Sequence, residues 1–109
     1  MEDIFELELR IKFASDIIFN REKGYISITN NMITGQVGND TIYGVYGKNI
    51  KYPLLYSDFA MSFYKGKYLF IYPSLSSSKN GIIYDNDKVV GSFKFEYFRR
   101  CNYGGNLKR

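Results

Sequence analysis

Lys94, Phe98, Arg99, Arg100 and Tyr103 interleave cations with aromatic rings near one end of the chain. That alternation suits single-stranded nucleic acid, whose phosphates meet charge and whose bases stack on rings. It equally suits a protein partner, because Tyr and Arg are the residues most enriched at interface hot spots. The stretch from Lys88 to Arg109 carries six basic side chains and one acid, Glu96, in a chain of net charge +4, so everything before it sums to −1. Either partner would find its charge at this end.

Catalytic chemistry is poorly supplied. With no histidine there is no imidazole base near neutral pH, and neither a Ser-His nor a Cys-His pair can form. Glu6 and Glu8 share one face of an alternating segment and would do paired-carboxylate work only if that face lined an interior. With Arg10 and Lys12 beside them, a solvated mixed surface is the plainer expectation. Asp85 and Asp87 flank Asn86, yet the remaining ligands of a calcium loop are missing, and Asp and Asn favour turns for conformational reasons alone. Neither a P-loop nor a GxGxxG pattern occurs. Asn39, Asp40 and Thr41 match the glycosylation acceptor, which matters only in a secreted protein. No cofactor, metal or catalytic residue is expected.

Cys101 is the only cysteine, so no intrachain disulfide can form, and a reducing compartment is the simpler reading. Arg99 and Arg100 precede it and would favour its thiolate, although a small residue near a chain end needs no such role. Glu2 and Asp3 stand where a secretory signal would be basic and then apolar, and no apolar run approaches the roughly 20 residues that span a bilayer. A cytoplasmic setting is expected, in the encoding cell or in a host.

The elements that must position these groups read as strands. Phe5, Leu7, Leu9, Ile11 and Phe13 recur at period two, with Glu6, Glu8, Arg10 and Lys12 between them. After the apolar Asp16 to Asn20, the polar Arg21, Glu22, Lys23 and Gly24 predict a turn. Further turn signals follow at Asn30-Asn31, Gly38 to Asp40, Gly47 to Asn49, Lys65 to Lys67, Asn80-Gly81 and Asp85 to Asp87, bounding short apolar runs. The closing strand is predicted over Val89 to Phe98. Between them, Pro73 to Asn80, with four serines, predicts a mobile loop.

From Asn49 to Tyr64 the pattern is double. Leu55, Phe59 and Phe63 fit one helical face, while Phe59, Met61 and Phe63 fit a strand, and the following turn favours strand for Phe59 to Tyr64. One short helix has room at Leu54 to Asp58.

Aromatic residues reach 18%, and such side chains favour pleated, half-buried surfaces. High Ile, Lys, Asn and Tyr are also what an AT-rich coding sequence yields, which weakens any functional reading of the tyrosine count. The expected fold is all-β: a small antiparallel meander closing into a barrel or compact sandwich, one domain over residues 1–109 with a flexible basic tail from about residue 99 to 109. If the first and last strands pair, Glu6 and Glu8 would face Lys94, and an unpaired closing strand would invite self-association. The expected function is a non-enzymatic binding module, a small inhibitor or adaptor of the kind viruses and mobile elements encode, contacting a protein. Single-stranded nucleic-acid binding and a small ligand held in the barrel are the alternatives.

Overall fold

The computed structural model describes residues 3–47, 61–72 and 80–101. All regular structure among them is strand: β1 (Asp3–Phe13), β2 (Asn20–Thr29), β3 (Met32–Val37), β4 (Asp40–Tyr46), β5 (Met61–Lys65), β6 (Tyr68–Tyr72), β7 (Gly81–Asp85) and β8 (Lys88–Arg100). Each strand pairs antiparallel with the next, and β8 pairs back onto β1, so the eight close into a barrel. The choice between barrel and sandwich is thereby decided.

Turn chemistry sets the meander. Two-residue loops join β2 to β3, β3 to β4, β5 to β6 and β7 to β8. Tight hairpins of this length need left-handed backbone, and it is supplied by Asn30 and Asn31 (φ 52° and 67°), Gly38 (61°), Gly66 (63°) and Asn86 (58°). Asp85 and Asp87 thus flank a conformational turn, and Asp85 is engaged by Lys67 at 3.4 Å.

Alternation directs one face of every strand inward. Leu7, Leu9, Ile11, Ile26, Ile33, Ile42, Met61, Phe63, Phe70, Ile83 and Phe93 form the core. Eight strands enclose just enough room for side chains to fill or for one small ligand. Here rings fill the middle, since Phe70 lies 5.2 Å from Phe63 and 4.9 Å from Phe93.

Three expectations are corrected. Arg21 to Gly24 is not a turn; it opens β2, paired in register with Leu7 to Arg10. The reversal falls earlier, after Phe13, whose carbonyl accepts the Asp16 amide at 2.9 Å. Gly24 is needed there for proximity, because a Cβ on it would sit 2.1 Å from the Gln36 carbonyl oxygen. At the seam, Glu6 opposes Arg99 and Glu8 opposes Tyr97, while Lys94 opposes Arg10. A bulge at Glu96 shifts that register. The closing strand is no open edge, because β1 and β7 cover both its sides.

β8 runs to Arg100, two residues into the stretch expected to fray. Leu54 to Asp58, the start of Phe59 to Tyr64, the serine-rich segment as far as residue 79, Tyr103, Lys108 and Arg109 lie outside the described residues.

Candidate binding surfaces

The basic, aromatic end does not assemble as one site. Phe98 points inward and stacks on Phe5 at 4.9 Å. Arg99 Nε donates to Glu6 Oε1 at 2.9 Å, and Arg100 Nη1 donates to Asp3 Oδ1 at 2.6 Å. The Arg99 guanidinium also lies over the Tyr97 ring at 4.4 Å. Glu6 holds the Arg99 pKa above its ordinary value, first by the hydrogen bond and then by charge. Lys94 is exposed on the same strand, about 15 Å from Arg99 at strand spacing. Both arginines therefore serve the seam that closes the barrel.

Outside, the barrel has two sectors. On β8, β1 and β2 the outward residues are mostly charged, Lys94 and Arg99, then Glu6, Glu8, Arg10 and Lys12, then Arg21 and Lys23, with Tyr97 and the exposed Tyr25 among them. Glu8, expected on a solvated face, is instead buried between its neighbours on β2 and β8. Across β3 to β7 they are mostly apolar. One row of Cα partners runs Met32, Val45, Ser62, Ile71, Ile82; the next runs Thr34, Tyr43, Tyr64, Leu69, Tyr84. Leu69, Ile71 and Tyr84 pack with Ile82 into a second buried cluster on the outside of β6 and β7. Tyr43 and Tyr64 are 57% and 41% exposed, their rings 5.3 Å apart, and Met32 and Val45 are exposed beside them.

Comparison with models of known protein families, with curated proteins and with solved structures finds no match. Among the described residues, no helix is long and apolar enough to cross a membrane.

Sequence reasoning missed the apolar sector because period two assigns each strand one buried face. Tyr68 to Tyr72 held the signal, since a near-continuous apolar run means burial on both faces. The loop between β1 and β2 adds a smaller apolar feature: Ile17 is 94% exposed and Ile18 71%. Phe19 beside them is held by the Arg10 guanidinium at 3.9 Å from its ring.

One end of the barrel is polar inside. Lys65, expected in a turn, instead ends β5 with its side chain inward and buried. Its Nζ donates to Asp40 Oδ2 at 2.7 Å and pairs with Glu22 Oε1. Burial lowers the Lys65 pKa, but the hydrogen bond to Asp40 and the contact and charges of both carboxylates outweigh it, and the net movement is upward. The amine stays a cation, a donor and not a nucleophile.

Proposed function

We propose that this barrel is a non-enzymatic binding module, an inhibitor or adaptor that contacts a protein through the apolar outer face of β3 to β5. One observation carries the reading: Met32, Val45, Tyr43 and Tyr64 lie next to one another across paired strands, exposed, and continuous with the buried Leu69, Ile71, Tyr84 cluster. Contiguous exposed apolar area is uncommon on a monomer and marks contact surfaces. Tyrosine suits this use because it buries much area at small cost in rotamer entropy and keeps a polar tip for a hydrogen bond. The charged sector opposite keeps the barrel soluble and leaves one face to dock. With a single free thiol, the module is suited to a reducing cytoplasm.

Nucleic-acid binding has less support than the sequence suggested. Arg99 and Arg100 are already neutralised by Glu6 and Asp3, and a phosphate would have to displace a carboxylate from each.

The test is capture of a partner by tagged protein from its native or host cell, with and without nuclease. A stoichiometric protein that survives nuclease and is lost with Tyr43→Ala/Tyr64→Ala, but kept with Arg99→Ala/Arg100→Ala, is the expected result. Truncation of a hot-spot tyrosine costs about 2 kcal/mol, roughly 30-fold in affinity. Recovery of nuclease-sensitive material only, or retention that ignores both tyrosines, would overturn the proposal.

A further inference from the structure

The end of the barrel closed by the β3-β4 and β5-β6 hairpins holds a cavity of about 270 Å³, with Asn20, Glu22, Asp40, Lys65, Lys67 and Tyr68 in its wall. Its polar groups are prepared for hydrogen bonding. Lys65 has three ammonium donors, and among the described residues two are directed to Asp40 and Glu22. Glu22 Oε1 is buried and makes an ion pair with Lys65 but no well-aligned hydrogen bond. Each carboxylate keeps further lone pairs, and Asn20 adds an amide that both donates and accepts. Beside them Tyr68 packs against Phe13 with centroids 4.9 Å apart, and the Lys67 ammonium lies 5.3 Å from the Tyr68 ring, on a long side chain that a ligand can displace.

A plug does not require this cluster. Apolar side chains of similar volume would close a barrel mouth about as stably, since the buried Lys65 gives up its hydration while Glu22 and Asp40, 32% and 41% exposed at their side chains, repay it through partly screened charge. Charge narrows the ligand. Lys65 and Lys67 balance Glu22 and Asp40 in the wall, so the site has no net charge with which to favour an anion or a cation. What fits is a neutral molecule with several hydroxyls, able to donate to carboxylates and accept from Lys65 while an apolar face rests on a ring. The cavity lies just below the usual ligand-pocket range of about 300–1,000 Å³, which suits one sugar ring and not a chain.

We infer that the Lys65, Glu22, Asp40 end of the barrel is a binding site for a small neutral polyol of the monosaccharide class. It is separate from the outer face of β3 to β5 and stands or falls independently of it.

The experiment is amide-resolved NMR of the whole chain titrated with glucose, galactose, mannose, xylose and N-acetylglucosamine in turn, with adenosine and uridine as flat, neutral competitors. Saturable shifts at Asn20, Glu22, Asp40 and Lys65 to Tyr68 with at least one sugar are expected. Tyr68→Leu, which leaves the ion cluster intact and keeps an apolar side chain, should weaken that binding at least tenfold. Lys65→Met should abolish it; should that variant fail to fold, Tyr68→Leu decides alone. No saturable response to any sugar, a response located elsewhere, a response to nucleosides only, or a site indifferent to Tyr68→Leu would overturn the inference and leave the cluster as a structural ion network.

Discussion

Glu6 of β1 and Arg99 of β8 are Cα partners across the seam that closes the barrel, and their side chains meet at 2.9 Å. Further along the same two strands, towards the barrel mouth, Asp3 takes Arg100 at 2.6 Å. The charge asymmetry of the sequence therefore resolves into pairs: acids from the first strand meet bases from the last. Partly exposed pairs of this kind add little to stability, because solvent screens them. Their larger effect is on what the arginines can bind.

Removing the carboxylates should unmask them. Asp3→Asn with Glu6→Gln keeps shape and frees both guanidiniums for phosphate. Binding to single-stranded DNA should rise above wild type at low salt, with log K against log salt steepening by about 1.4 for two more phosphates. A filter-binding series across salt concentrations checks this. Equal slopes for wild type and variant would mean that the carboxylates do not hold the arginines.

Phe93 is the hub of the interior, with rings of Phe63, Phe70, Tyr72 and Phe95 all within 6.0 Å of it. Gly81 makes room for it, since a Cβ there would fall 2.3 Å from the Phe93 ring. Phe93→Ala should cost about 3–5 kcal/mol, and Phe93→Leu clearly less. Urea unfolding followed by tyrosine fluorescence reads both. A loss under about 1 kcal/mol for the alanine variant would show that the barrel collapses onto the gap.

Gly24 explains part of what the sequence hid. A glycine after three polar residues has the signature of a turn, yet Gly24 sits mid-strand with the Gln36 carbonyl 2.1 Å and Val37 Cα 2.6 Å from where a Cβ would be. Backbone cannot step aside as a side chain can. Gly24→Ala should lose about 1–3 kcal/mol or more by overpacking, whereas alanine at a real turn glycine with negative φ would be mildly stabilising. The same urea measurement separates the two.

Local chemistry made the turns at Asn30-Asn31, Gly66 and Asn86 legible, because each needs left-handed backbone that few residues adopt. The acidic start and basic finish suggested that the first and last strands pair, but the partners they named, Glu6 and Glu8 with Lys94, are not the ones that meet. Long-range pairings were not. Lys65 looks like a turn residue until Asp40 and Glu22, distant in sequence, are brought to it by the meander. Likewise Tyr43 and Tyr64 carry no shared signal; only the β4-β5 register makes them neighbours. The bulge at Glu96 moved the arginines relative to β1, and no residue type there announces it.

Alkaline pH should weaken the fold through two inward-facing groups. Burial pushes the Tyr72 phenol above its ordinary value, and Lys65 is also raised, its burial outweighed by Asp40 and Glu22. For each, the unfolded chain releases its proton at lower pH than the folded one. The stability each contributes is therefore complete below the unfolded value, about 10 for tyrosine and 10.4 for lysine, and is lost as pH rises through the folded value. Urea midpoints should stay flat through neutral pH on this account and fall above about pH 10. Tyr72→Phe should make that fall shallower. Lys65→Met should remove the lysine share and leave Glu22 beside Asp40 without a cation, so its stability should recover on acidification into the carboxylate range. A Lys65→Met profile that parallels wild type at both extremes would show that the ammonium is not what holds the two carboxylates together.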